Sequence, residues 1–248
     1  MTEELFREDA YLRSAEAVVV AADAMGIVLD RTVFYPTGGG QPGDSGILRR
    51  ADGSILRIAD TRKEPRGILH IPAPGEPLPA SGEPVTAEID WDRRHRFMRM
   101  HTCLHLLCAV VPAGVTGGQV GPDRSRLDFD TGDMRLEKDD ITARLNALVA
   151  ADAPVRPRWI SDEELAAQPE LVRTMSVKPP VGAGRVRLLE IVGIDLQPCG
   201  GTHVRRTGEI GPVVVEKIES KGKRNRRVVV ALAGEAAPIS GAAAGERR

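Results

Sequence analysis

Cysteine is scarce in this chain: three residues, Cys103, Cys108 and Cys199, among 248. So few, in an odd number, cannot make a disulfide framework, so reduced thiols in a reducing compartment are expected and Cys199 is left free for metal. An excess of positive charge is also missing, the formal net charge being −1. That excludes a protein that coats nucleic acid indiscriminately, and any RNA contact must come from local patches. Nor does any apolar run approach the roughly 20 residues needed to span a bilayer. The acidic opening Met-Thr-Glu-Glu-Leu-Phe-Arg-Glu-Asp is unlike a signal peptide, and a cytoplasmic location is the expectation.

What is present is 42% apolar and 28% charged residues, the balance of a globular protein that buries a core. A chain of this length lies where single cores stop growing, which points to two domains. Short β-rich runs cover Ala17 to Ala22, Ile27 to Phe34, Ile47 to Arg50, Ile55 to Ala59 and Ile68 to Ile71, with turn signals such as Asp52-Gly53 between them. Strands at this spacing suggest a small β-barrel. From Pro72 to Pro84, five prolines with Gly75 and Gly82 favour an extended connection, so the boundary is set there and the first domain is residues 1–84.

A strand is expected at Val85 to Ile89. The spacing of Phe97, Met100, Leu104, Leu107 and Val111 then predicts a helix over Trp91 to Val111, stopped by Pro112. A Gly-rich turn follows, then a strand at Arg126 to Phe129, a helix from about Asp139 to Ala151, a strand at Val155 to Ile160 and a short helix after Ser161. Beyond the run Arg185 to Val192, Ile210 to Ile218 and Arg226 to Leu232 read as antiparallel strands joined by the basic loop Ser220 to Asn225. The second domain is residues 85–233. The Ala- and Gly-rich tail, 234–248, is expected to be disordered.

His101 and His105 stand four apart on the predicted helix, so both imidazoles leave one face about one turn apart, close enough to share an ion. Ordinary core histidines are the alternative. In Pro198-Cys199-Gly200-Gly201-Thr202-His203, two glycines let the backbone fold a thiolate and an imidazole back toward one point. The alternative there is a buried Cys in a tight turn beside an exposed His. Together the two pairs make a His₃Cys set that zinc accepts tetrahedrally. The position after His101 is Thr102, not the Glu of a zinc peptidase, and the His-x-Glu and Cys-x-x-Cys elements of nucleotide deaminases are absent.

Four segments resemble the alanyl-tRNA editing proteins, freestanding relatives of the editing domain of alanyl-tRNA synthetase. Arg99-Met100-His101-Thr102-x-x-His105-Leu106-Leu107 and Cys199-Gly200-Gly201-Thr202-His203-Val204 look like that family's two zinc motifs. Phe34-Tyr35-Pro36-Thr37-Gly38-Gly39-Gly40-Gln41-Pro42-Gly43-Asp44 resembles the glycine-rich motif of its longer members, and Glu219 to Arg227 its basic hairpin. The likeness runs from about residue 10 to 232. It implies an α+β fold class, with an N-terminal β-barrel-like domain followed by an α+β zinc-containing editing domain. It also implies one Zn²⁺ per chain on His101, His105, Cys199 and His203, and hydrolysis of mischarged tRNA(Ala), most of all Ser-tRNA(Ala), with Gly-tRNA(Ala) the second candidate. The synthetase motif usually reads His-Thr-Ala-Thr-His. Here Cys103 and Leu104 take its third and fourth positions, an apolar side chain replacing a hydroxyl that lines the pocket.

By the same resemblance Thr102 and Gln119 are candidate catalytic residues facing the substrate. A Thr bonded back to a helix carbonyl and a plain turn residue are the respective alternatives. Gly38, Gly39, Gly40 and Gln41 form a candidate pocket loop, which lacks the Gly-Lys-Ser/Thr ending of a phosphate-binding P-loop; a plain hairpin turn is the alternative. Two basic groups, Arg93, Arg94, Arg96 and Arg99 on the helix and Lys221, Lys223, Arg224, Arg226 and Arg227 on the hairpin, would suit the acceptor stem and 3′ end of tRNA(Ala), although solvated surface is the usual reason for such runs. Zinc either positions the amino acid or activates a water. Two other readings are a zinc-stabilised tRNA-binding module without catalysis and a zinc hydrolase of a small molecule.

Overall fold

The computed structural model describes residues 2–173 and 184–234, so the expected disorder of 234–248 falls, but for Gly234, outside the described residues. Strands dominate. In chain order they begin with β1 (Glu3–Glu4), β2 (Ser14–Asp23), β3 (Gly26–Leu29), β4 (Arg31–Thr32), β5 (Gly46–Arg50), β6 (Ile55–Glu64), β7 (Gly67–Pro72) and β8 (Pro84–Ile89). Six of them close a barrel in the order β2-β3-β7-β6-β5-β8. Along β2 and β6, buried and exposed residues alternate over much of the strand, as a pleat with one face on a core requires. Val19, Leu29, Leu48, Leu56, Ile58, Val85 and Ala87 fill that core.

The segment expected to open a second domain is the strand that completes the barrel. Val85, Ala87 and Ile89 are buried at every second position, and β8 pairs with both β2 and β5. Pro84 is tolerated as its first residue, where a missing N–H does least harm to the ladder. The boundary drawn after Pro84 therefore cuts a barrel strand. The expected run Ile27 to Phe34 is likewise divided, because the Asp30 carboxylate accepts from the backbone N–H of Val18 and of Arg31 and turns the chain there.

After the barrel, Asp90 caps the helix α1 (Trp91–Val110) by accepting from the Arg93 N–H. From Phe97 onward the helix is buried on nearly all sides, as expected of a helix surrounded by other elements. Then come β9 (Gly114–Gln119), β10 (Arg124–Asp130), α2 (Lys138–Ala150), β11 (Val155–Ser161), α3 (Asp162–Ala166), β12 (Arg185–Ile191), β13 (Asp195–Pro198), β14 (Val213–Ser220) and β15 (Asn225–Leu232). The sheet β14-β15-β10-β9 shares one large core with α1 and α2, including Phe97, Leu104, Leu107, Phe129, Leu145, Val215 and Val228. A separate sheet has the order β11-β12-β13. The Gly-rich stretch expected as a turn is strand β9, paired with β10, and the run read from Ile210 starts with a 3₁₀ turn, Thr207–Ile210, before β14. Among the described residues, no helix is long and apolar enough to cross a membrane.

Trp91 packs against both the barrel core and the large core. One turn on, Arg94 is fully buried against Asp44, which is 1% exposed. Its Nε lies 3.0 and 2.9 Å from the two carboxylate oxygens, and its Nη atoms donate to Ala10 O at 3.0 Å and Val33 O at 2.7 Å. This arginine, read as part of a basic surface, is an internal strut, and its helix neighbours are also engaged. Arg93 stacks on Phe97, Arg96 pairs with Asp123, and Arg99 donates to Ile210 O. Breaking a buried pair strands a charge at a cost of about 3–5 kcal/mol. Asp44→Ala is expected to lose stability of that order in urea unfolding, whereas Arg62→Ala, in an exposed pair with Asp60, should change it by less than about 1 kcal/mol.

Candidate metal centre

Helix α1 carries His101 and His105 one turn apart, and the loop after β13 brings Cys199 and His203 to them, the ligand atoms of all four lying within 4.8 Å of one another. Cys199 Sγ is 3.2 Å from His203 Nε2 and 3.6 Å from His101 Nε2. The corresponding edge of a tetrahedral zinc site is about 3.5 Å, given bond lengths of ~2.3 Å to sulfur and ~2.05 Å to nitrogen. The donor set and its spacing thus fit a metal ion. The two other thiols do not compete: burial pushes Cys103 and Cys108 up to about 12, so both stay protonated.

The other nitrogen of each imidazole is occupied. His101 Nδ1 donates to Gln41 Oε1 at 2.8 Å, and because the Thr202 N–H donates to the same oxygen at 3.2 Å, the amide orientation is fixed. His105 Nδ1 donates to the Asp195 carboxylate at 3.2 Å. His203 Nδ1 faces Thr102 Oγ1 at 3.2 Å, and that hydroxyl already donates to Met98 O at 2.8 Å, so it accepts from the ring. With a proton on each Nδ1, the three Nε2 atoms are the ones turned toward the common point. Outer partners of this kind orient ligand rings in metal sites generally.

Burial alone would raise the Cys199 thiol, yet the imidazoles of His101, His203 and His105 around it hold it well below the usual thiol range, the thiolate form a metal needs. Burial likewise opposes a charge on His105, but the Cys199 thiolate and the Asp195 carboxylate outweigh it and raise the ring to about 9. Burial drives His203 the other way, well below its ordinary value. Asp195 is kept ionised against its own burial by His105, Gln197 and Arg173.

The glycine-rich loop meets this cluster from the barrel side. Gly39 and Gly40 both have positive φ, +56° and +81°, between the reciprocal backbone bonds of Gly38 and Gln41, a two-residue turn that only glycine enters freely. Gly38 O accepts from the Tyr35 hydroxyl and Gly40 O from Val120 N, which pins the loop to the residue that follows β9. Gln41 is fully buried and ties the two ligand-bearing segments together, its Nε2 donating to Thr202 Oγ1 at 2.8 Å. Thr102 is equally buried and holds His203 and Val204 N. Gln119 is exposed at the end of β9, with its side-chain oxygen 3.4 Å from Arg126 Nε. Cys103 and Leu104 pack in the large core.

On the hairpin, Arg224 pairs with Asp130, Arg227 with Asp128 and Lys221 with Glu219, and Arg226 donates to backbone carbonyls of its own loop. Lys223 is exposed, and among the described residues it has no acidic partner. Sequence reasoning missed Asp195 and Thr202. The one signal for Asp195 was an acid flanked by Ile194 and Leu196 just ahead of Cys199; Thr202 lay inside the quoted motif without a role.

Gly201 shows how tightly the cluster is closed. A Cβ there would stand 2.3 Å from a carbon of the His101 ring and 3.1 Å from Gln41 Oε1. Gly201→Ala is expected to turn His101 away and lower divalent-metal affinity at least about tenfold, the usual consequence of disturbing a ligand's support. Competition with a chromogenic chelator checks it, with circular dichroism confirming an intact fold.

Residues 186–229 match the family described as the threonyl and alanyl tRNA synthetase second additional domain, and residues 7–93 match class II (A) tRNA synthetases. An alanyl-tRNA editing protein AlaX-M of Methanosarcina acetivorans is 38% identical over 243 residues, spanning 94% of this chain and 99% of its own. Its counterpart in Saccharolobus solfataricus is 35% identical over 237 residues, 92% of this chain and 98% of that one. The alanine–tRNA ligase of Pyrobaculum neutrophilum is 36% identical over 232 residues, 88% of this chain but 25% of the ligase. Likeness from end to end at this identity, together with the geometry above, assigns the chain to the alanyl-tRNA editing proteins.

Proposed function

We propose that this protein is a zinc-dependent aminoacyl-tRNA deacylase that hydrolyses mischarged tRNA(Ala), with serine the preferred wrong amino acid and glycine the second. The observation that carries the reading is the cluster of three imidazole Nε2 atoms and one thiolate, each ring held by its own partner, in a chain alike from end to end to alanyl-tRNA editing proteins. The layout that goes with it is a barrel domain and an α+β editing domain. Since β8 belongs to the barrel, the division is best placed after Ile89. Three free cysteines accord with a cytoplasmic protein.

The bond to be broken is an ester between an amino acid and a ribose, labile enough that positioning and modest charge stabilisation suffice. Zinc on His101, His105, Cys199 and His203 would supply a Lewis acid against which the substrate's polar groups are held. The chain's own residues do the aiming. Gln41 locks His101 and Thr202, Thr102 locks His203 and Asp195 locks His105, which makes all three positioning residues. Gln119, exposed beside the glycine loop, is the candidate to meet the substrate. A site built to hydrogen-bond serine's hydroxyl discriminates against alanine, which lacks it. The acceptor stem is gripped through phosphates without sequence reading.

A deacylation time course with zinc-loaded protein tests this. Ser-tRNA(Ala) should lose its amino acid well above the spontaneous rate while Ala-tRNA(Ala) keeps it, and His203→Ala should lose both zinc and activity. Esters that decay only as in buffer, with zinc bound and the protein folded, sink the reading. On the hairpin, Lys223→Ala should weaken tRNA binding and reduce the slope of log K against log salt by about 1; an unchanged slope removes the hairpin from the interface.

A further inference from the structure

We infer that the face of the β11-β12 sheet carrying Trp159, Arg185 and Arg187 is a platform for the single-stranded 3′ end of the tRNA, a base stacking on Trp159 and its phosphate lying at Arg187. The inference rests on the proposed deacylase activity and concerns how the ester is delivered to the metal centre.

The chain has two tryptophans. Trp91 packs between the two cores, but Trp159 is 42% exposed. In the antiparallel register Trp159 stands directly opposite Arg187, so both side chains leave the same face. Arg185, two residues before Arg187, shares that face, and its guanidinium lies 4.5 Å from the Trp159 ring centroid. The neighbouring arginines on the opposite face, Arg156 and Arg158, are neutralised by Glu190. Among the described residues, neither Arg185 nor Arg187 has a carboxylate partner.

Arg187 joins this platform to the metal centre. Its Nη1 donates to Cys199 O at 2.7 Å and to Gly201 O at 3.2 Å, while its Nε is buried with no acceptor. A buried donor without a partner is costly, and a phosphate oxygen would satisfy it in the fork geometry that guanidinium offers. A cavity of about 110 Å³ opens beside it, with Arg7, Pro157, Leu189 and His203 also on its wall. Glu8 and Asp9 line the same cavity, Asp9 being paired with Arg205. An exposed aromatic ring and two arginines without carboxylate partners therefore share one sheet face, and the cavity at Arg187 leads on from them to His203. That is the arrangement for a strand whose last ribose carries the ester, since base–aromatic stacking tolerates any base and suits single strands.

Trp159→Ala and Trp159→Phe test it, with the RNA trinucleotide CCA as probe. Wild-type tryptophan fluorescence should be quenched by the trinucleotide, and Trp159→Phe should lose that quench while still binding it by calorimetry. In deacylation of Ser-tRNA(Ala), Trp159→Ala should raise KM about tenfold or more with kcat within about twofold, the signature of lost uniform binding; Trp159→Phe should restore KM. If the trinucleotide quenches nothing and Trp159→Ala keeps the wild-type KM, the platform is overturned while the deacylase reading stands. If wild-type protein deacylates nothing, that reading falls, and the trinucleotide titration still decides the platform.

Discussion

The buried pair of Arg94 and Asp44 is the constraint on which the candidate metal centre depends. A guanidinium without contact to water survives only if its donors are met. Here they are met by one carboxylate and two backbone carbonyls from separate parts of the chain, Ala10 and Val33. The pair fixes the first turn of α1 against the loop that Asp44 ends. Seven residues are nearly two helical turns, so His101 leaves the helix on the same side as Arg94, and His105 follows one turn later. Gln41 lies three residues before Asp44 in the loop. Once Arg94 is seated, the helical repeat carries His101 to Gln41, where the 2.8 Å bond closes.

Much of this was legible in the sequence because it rests on local rules. The α1 helix followed from its apolar spacing, and the grouping of His101, His105, Cys199 and His203 from an i, i+4 pair and a two-glycine turn. The barrel strands showed as short β-rich runs. What failed involved partners distant in sequence. Nothing within the run Arg93 to Arg99 told a buried strut from a surface patch, because Asp44 lies 50 residues away. The prolines between Pro72 and Pro84 fall in the connection between β7 and β8, which turns at Gly75 and Gly82, but whether the next strand joined the preceding sheet or a new one depended on pairing with β2 and β5. The glycines of β9 looked like a turn for the same reason, since a strand so poor in side chains is specified by its neighbours.

Thr102 and Gln41 show the difference between finding a residue and assigning its work. Both were picked out beside the motifs, as a substrate-facing hydroxyl and a loop residue. Both are fully buried and spend their hydrogen bonds on ligand rings and on the loop that carries His203. A hydroxyl that donates to Met98 O while accepting from His203 and Val204 N has no proton left to offer a substrate. The groups that do reach solvent on this side of the cluster are the turn at Gly39 and Gly40 and the end of β9 at Gln119.

The cluster is assembled from three pieces, none of which brings all four donors. The helix offers two imidazoles but no thiolate, the Cys199 loop offers one of each, and the barrel offers only the amide that aligns them. Gln41 is therefore the joint between a rigid barrel and a loop whose glycines would otherwise leave it loose. Its oxygen accepts from both His101 and Thr202, and its nitrogen donates to the Thr202 hydroxyl. Replacing it by Glu would keep an acceptor for His101 but lose the donor to Thr202. Replacing it by Leu would leave the Nδ1 proton of His101 and the N–H of Thr202 buried without acceptors, each at a cost of about 1–3 kcal/mol. Asp44 thus acts on the cluster through the helix and Gln41 acts on it directly, and the glycine turn at Gly39 and Gly40 lets the chain reverse tightly enough to deliver Gln41.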